Sequence, residues 1–234
     1  MLIDAHFHNS VGLLPLQHLN HIQGIVNSDS LEELEYNRAN NQNYISFGIH
    51  PWKAEQVPAD LAALLASVAI IGEIGMDSVW TQVDLAVQQD VFEQQLAIAV
   101  KQHKPVVLHT KGQEREILAL IRNYPNRYLI HWYATPDYLA EYLALDTYFT
   151  AGPDVFTDKA VQKVAQQVPL QRVLVESDGI DAIAWAQNIA VENVDYVATL
   201  QASYQYLAAL HGIGVNELEL ILADNFQRFV HGDS

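Results

Sequence analysis

Eight short apolar runs, each followed by a stretch of helical periodicity, constrain this chain more than any other feature. The runs lie at residues 2–8, 24–28, 44–49, 69–74, 105–109, 128–132, 147–150 and 172–176. Near-continuous apolar strands are what a parallel sheet covered on both faces requires. Between and after them, helical patterns occupy 15–21, 31–41, 59–67, 85–103, 114–123, 136–145, 157–167, 193–211 and 215–230. Ser30 before Leu31-Glu32-Glu33, and Thr157-Asp158 before Lys159, read as helix starts, while Pro105, Pro125 and Pro169 read as stops. Eight strand–helix units make an α/β (β/α)8 TIM barrel, parallel strands inside and helices outside. A doubly wound open sheet is the alternative, but no Gly-rich phosphate turn follows the first strand. No linker, low-complexity segment or short repeat interrupts residues 1–234, which are expected to form a single domain.

In such a barrel the chemistry gathers at the carboxyl ends of the strands. The first run carries Asp4, His6 and His8, which strict alternation places on one side. Later runs deliver Gly48-Ile49-His50-Pro51-Trp52, Gly72-Glu73-Ile74-Gly75-Met76-Asp77, His109, His131-Trp132 and Glu176-Ser177-Asp178. Unpaired polar groups buried there would cost on the order of a few kcal/mol each. They need a shared partner, and one or two divalent cations supply it. Two imidazoles at i and i+2 can hold one such ion, with a carboxylate behind them as orienting group.

Charge and cysteine usage narrow the classes further. Lys plus Arg is 12 against 28 Asp plus Glu, a formal −16. Such a field opposes sequence-independent docking on a duplex backbone, though not cation binding. The chain has no cysteine, so disulfides and thiolate sites are excluded. It opens without a basic leader pattern, and its best apolar run, 61–72, is too short for a bilayer. A cytoplasmic protein with no membrane contact and no obligate protein partner is expected.

The sequence resembles the TatD-type metal-dependent hydrolases, a branch of the amidohydrolase-like barrels. The likeness rests on Asp4-x-His6-x-His8, Gly48 to Pro51, Gly72 to Asp77, Pro105 to His109, His131, Tyr148 to Pro153, Pro169 to Asp178 and Asn225-Phe226-Gln227-Arg228-Phe229. It implies that His6, His8 and Asp178 hold one metal, that His109 and His131 hold a second, and that Glu73 bridges them, or ligates just one ion where the second site is empty. It also implies deoxyribonuclease activity. The chain departs from the pattern in Thr110-Lys111-Gly112, where an arginine is common, in Trp132-Tyr133-Ala134, and in Gly179-Ile180-Asp181, where a proline is usual nearby. These departures lie in loops around the metals and concern the substrate pocket.

The mechanism so implied is hydrolysis by a water whose pKa a divalent ion lowers from 15.7 to about 7. Asp178 and Glu73 are the candidate catalytic groups, with Asp178 orienting the water and taking its proton. Asp4, Glu176, His50 and Lys111 are candidates for orienting a ligand or meeting substrate. Three readings compete: a phosphodiesterase acting on chain ends or short single strands of DNA; a hydrolase of a small ester, lactone or amide; and a non-catalytic metal-binding barrel. Nitrogen and oxygen ligands do not distinguish Zn, Mg, Mn, Ni and Fe.

Overall fold

The computed structural model describes residues 1–10, 12–41 and 43–232. Its strands are β1 (Ile3–His8), β2 (Gln23–Ser28), β3 (Tyr44–Phe47), β4 (Ile70–Asp77), β5 (Val106–Lys111), β6 (Tyr128–Ile130), β7 (Thr147–Ala151) and β8 (Val173–Val175). They pair in parallel and in chain order from β1 to β8. The ring is drawn together where the Asp178 N–H donates to the His6 carbonyl at 3.1 Å. The result is a nearly closed TIM barrel, its strands almost wholly buried.

The helices are α1 (Leu13–Leu19), α2 (Leu31–Asn40), α3 (Leu61–Ala66), α4 (Leu85–Gln102), α5 (Glu114–Ile121), α6 (Leu139–Leu143), α7 (Lys159–Gln167), α8 (Ile180–Gln187), α9 (Tyr196–His211) and α10 (Val215–His231). The two capped starts behave as their side chains dictate. Ser30 Oγ accepts from the Glu33 N–H, and Asp158 accepts from the N–H groups of Ala160 and Val161. No single helix among the described residues is long and apolar enough to cross a membrane.

Helix α8 has no counterpart in the sequence pattern. Its residues, Ile180-Asp181-Ala182-Ile183-Ala184-Trp185-Ala186-Gln187, lack a sustained polar face, and its N-cap Gly179 offers no side-chain acceptor. Neither of the usual start signals is therefore present. Strands β4 and β5 also run past their expected ends, because Gly75, Met76 and Asp77 pair with His109, Thr110 and Lys111.

Two irregularities decide which way the polar residues point. Asp4 pairs with Gly24 and Phe7 with Val26, so β1 takes three steps where β2 takes two. Such a bulge reverses the alternation, putting Asp4 on the side of Phe7 and opposite to His6 and His8. The expectation that all three share one face is thereby corrected: Asp4 accepts from Tyr196 of the outer helix α9 at 2.9 Å. In β4 the same count, Ile71 opposite Val106 and Ile74 opposite Leu108, puts Glu73 on the face of Gly75, His109 and Asp77. Gly75, with φ +155°, is required here, since a Cβ would stand 2.0 Å from the His109 carbonyl oxygen.

Helix α10 is tied to the barrel by one fully buried amide. Asn225 Nδ2 donates to the carbonyls of Leu170 and Val173, both at 2.8 Å, and its Oδ1 accepts from Arg228. Asn225→Leu strips two buried carbonyls of their donor, so it should lower stability by about 1–3 kcal/mol, read as a reduced urea midpoint. An unchanged midpoint would mean that the amide ties nothing.

Candidate metal centre

The carboxyl ends of six strands converge on the carboxylate of Glu73. On one side of it, Glu73 Oε2 lies 3.3 Å from His8 Nε2 and 3.6 Å from His6 Nε2. Asp178 Oδ1 completes this group at 3.3 Å from His6 Nε2 and 3.8 Å from His8 Nε2. On the other side, Glu73 Oε1 lies 2.5 Å from His109 Nδ1, 2.7 Å from His131 Nε2 and 3.4 Å from His50 Nε2. Three sets, His6–His8–Asp178, His6–Glu73–His131 and His50–Glu73–His109, each bring their ligand atoms within 4.8 Å of one another.

Carboxylates stand behind two of the rings, and one of them, Asp77, bonds its ring directly. Asp77 is fully buried and accepts from His109 Nε2 at 3.0 Å, from Trp52 Nε1 at 2.7 Å, and from the N–H groups of Val79 and Trp80. Burial pushes its carboxyl up, but these donors outweigh that and hold it well below the ordinary range. The ionised Asp77 keeps the proton on Nε2, so the Nδ1 lone pair of His109 faces Glu73. Glu176 stands likewise behind His131, its Oε1 3.6 Å from Nδ1.

The ionisation of the cluster follows from this crowding. Burial opposes charge on Glu73, yet His131, His50 and His109 hold its carboxyl well below the usual range. Burial and His131 push His6 down, but the carboxylates of Asp178 and Glu73 prevail and raise it to about 9. His8 and His131 are raised through the same competition, and burial lowers His50. Among the described residues no lysine or arginine pairs with Glu73 or Asp178. Both nitrogens of His6, Nδ1 of His131 and Oδ1 of Asp178 are buried without a hydrogen-bond partner. Electron-pair donors packed this closely need positive charge between them, and the imidazole–carboxylate set suits a divalent cation.

The TatD-related DNase family profile matches residues 4–231. The chain belongs to this family. The uncharacterized metal-dependent hydrolase YcfH of Escherichia coli (strain K12) is 28% identical over 199 residues, spanning 81% of this chain and 74% of YcfH. The 3'-5' ssDNA/RNA exonuclease TatD of Edwardsiella piscicida is 31% identical over 144 residues, 56% of this chain and 55% of that protein. The crystal structure of YJJV, a TatD homologue from Escherichia coli K12, shares the fold with a TM-score of 0.82 at 18% identity, covering 100% of this chain and 98% of that one. The protein is a TatD-type metal-dependent hydrolase.

Within this TatD-type site, six of the residues singled out by sequence, His6, His8, Glu73, His109, His131 and Asp178, stand together with His50. The His50 ring does two things, since its Nδ1 also accepts from the Trp52 N–H at 3.3 Å. Asp4 lies outside the cluster. It accepts from the Ser177 N–H and hydroxyl at 2.9 and 2.6 Å, so it anchors the segment carrying Asp178 rather than a histidine. Burial pushes its carboxyl up to about 7, against the pull of those donors. Lys111 reaches the rim, where its ammonium donates to the Trp132 carbonyl at 3.2 Å and lies 5.8 Å from the centre of that indole.

Sequence reasoning missed the supports. Asp77 ends the stretch Gly72 to Asp77, but nothing in the sequence assigns it a role. Gln88 and Gln95, seven residues apart on α4, clamp the loops: Gln88 exchanges bonds with the Asp77 N–H and carbonyl, and Gln95 with those of Ile49. The available signal was two amides set among Val91, Phe92, Leu96 and Ala99 on a buried helix face.

Asp77→Asn would present an amide N–H to His109 Nε2 and move the ring proton to Nδ1. Divalent-cation affinity should fall about 10–100-fold, measured by calorimetry. An affinity equal to that of the unaltered protein would remove Asp77 from this role. Cation binding should also release protons. With His6 raised to about 9 and His131 raised well above its ordinary value, these two cation-free rings are protonated at neutral pH, and His8 is shifted in the same direction. Each must lose its proton to ligate, so affinity should climb as pH rises from 7 towards 9. Calorimetry in buffers of different ionisation enthalpy counts those protons, and a count of zero would contradict the ionisation described.

Proposed function

We propose that this barrel mouth holds two divalent cations and hydrolyses phosphodiester bonds at chain ends or in short single strands of DNA. The observation that carries the reading is the division of the cluster across Glu73. His6, His8 and Asp178, on the side of Oε2, would hold one ion, and His109 and His131, on the side of Oε1, the other, with Glu73 available to both. The cations would supply Lewis-acid activation of a water and neutralise charge on the phosphoryl oxygens.

The side chains divide the remaining work. Asp178 is kept ionised because, against the cost of burial, His6, His131 and His8 lower its carboxyl, so it meets the water as a carboxylate that can accept its hydrogen bond. Glu73 is held as a carboxylate and serves as the shared anion, not as a proton donor. Asp77 keeps the ring orientation of His109, and Glu176 places a carboxylate 3.6 Å behind His131 Nδ1. Lys111 brings a cationic side chain to the rim, where a substrate phosphate would replace its bond to the Trp132 carbonyl. The formal −16 charge elsewhere disfavours a long duplex and leaves short or frayed ends as the accessible form.

The protein loaded with Zn, Mn or Mg should turn over bis-p-nitrophenyl phosphate and shorten a labelled single-stranded oligodeoxynucleotide. Turnover confined to lactones or acyl amides would replace this reading with that of a small-molecule hydrolase, and inactivity at full loading with that of a binding barrel. His109→Ala should lower both the bound metal per chain, read by elemental analysis, and the rate. Unchanged stoichiometry would refute the placing of an ion beside Oε1.

A further inference from the structure

All four tryptophans of the chain stand on segments that follow barrel strands, at the end that carries the histidines. Two of them, Trp80 and Trp185, are 59% and 65% exposed. Trp185 lies edge to face with Trp80 at 6.4 Å and with Trp132 at 5.9 Å between ring centres. Large exposed indoles grouped at one rim are costly to leave in water and mark a contact surface. Trp132 is buried, adjoins His131 in the chain, and lies flush against Gly152, where a Cβ would come within 3.0 Å of its ring.

A carboxylate completes the arrangement. Trp132 Nε1 donates to Asp154 Oδ2 at 2.7 Å. Asp154 is only 8% exposed, and its other oxygen, Oδ1, is buried with no partner. Asp154 also lines a cleft of about 220 Å³ together with Thr157, Asp158, Trp185 and Ala186. Asp158 is held at the start of α7, where its Oδ1 accepts from two backbone N–H groups. Burial pushes the Asp154 carboxyl up to about 6, in keeping with an acceptor short of donors. A buried acceptor left unmade costs stability, and a ligand N–H restores it.

We propose that this cleft is a nucleobase subsite, in which an unpaired base bearing an exocyclic amino group stacks on Trp185 and donates that amino group to Asp154 Oδ1. The subsite rests on the phosphodiesterase reading above, since it places the base beside the cluster through Trp132 while the phosphate faces the histidines and Lys111. An acidic cleft repels phosphate but suits the donor edge of a base. Indole faces accept any base by stacking, so Asp154 supplies the selection. Cytosine, adenine and guanine offer an exocyclic amino group, whereas thymine has none and its one ring N–H is flanked by two carbonyl oxygens that a carboxylate repels.

The test is the binding of deoxynucleoside 5′-monophosphates to the metal-loaded protein, by calorimetry and by quenching of tryptophan emission. dCMP and dAMP should bind at least about 10-fold more tightly than dTMP, the margin of one hydrogen bond to a charged acceptor. Trp185→Ala should weaken all three and reduce the quenching. Asp154→Asn keeps an oxygen for Trp132 but replaces the free acceptor with a donor, so it should abolish the preference or turn it towards dTMP. Its thermal midpoint checks that the fold is retained.

Equal affinities in the unaltered protein, or a preference that survives Asp154→Asn, would overturn the subsite. Failure of the two readings is distinguishable. Oligonucleotide cleavage with no base preference in binding removes the subsite and leaves the phosphodiesterase. Base-selective binding without cleavage of any phosphodiester removes the phosphodiesterase and leaves the subsite.

Discussion

A single carboxylate, that of Glu73, has five imidazoles within 3.6 Å, and the rest of the architecture can be understood as what makes this tolerable. Buried ionised groups are unfavourable unless opposite charge or hydrogen bonds compensate them. Here the rings whose proton affinity is raised, His6, His8 and His131, compensate Glu73 and Asp178 by holding protons when no cation is bound, and as ligands when one is. The same atoms thus answer to protons or to metal, which couples occupancy of the site to pH. Nothing basic other than histidine pairs with these two carboxylates among the described residues, so no fixed charge competes with the cation.

Holding lone pairs against one another demands rigid supports, and the barrel supplies them from behind. Asp77 fixes the tautomer of His109 and is itself saturated by the Trp52 indole and two backbone N–H groups. Gln88 and Gln95 fasten two catalytic-face loops to the longest helix, α4, by double hydrogen bonds. Asp4 fastens the segment before Asp178 to β1 and, through Tyr196 and Gln17, to the outer helices. Each support acts on a backbone or on a ring's second nitrogen, leaving the inward atom free for chemistry.

The rim around the cluster is divided by charge. Lys111 stands over the Trp132 ring, and Asp154 accepts from its edge at Nε1. Trp132 therefore touches both a cation and the acidic cleft. A substrate with an anionic end and a flat, donor-bearing end matches that polarity, and a uniformly charged duplex backbone does not.

The amino-acid sequence by itself determined the alternation of buried strand and helix, the parallel order, and the residue types at each strand end. Those properties are legible because they are local: apolar runs of strand length, caps such as Ser30 and Asp158, and histidines directly after Val107-Leu108 or Leu129-Ile130. What only the tertiary structure decided was direction. Strict alternation placed Asp4 with His6 and His8, but one extra residue in β1 turned it towards α9. The bulge in β4 likewise aimed Glu73 at the histidines, a choice made by pairing with β5. The Asp154–Trp132 bond is illegible for the same reason, since it joins separate segments, whereas helix α8 is illegible because it lacks a polar face and a side-chain cap. Register and side-chain direction depend on the neighbouring strand, so no stretch read alone contains them.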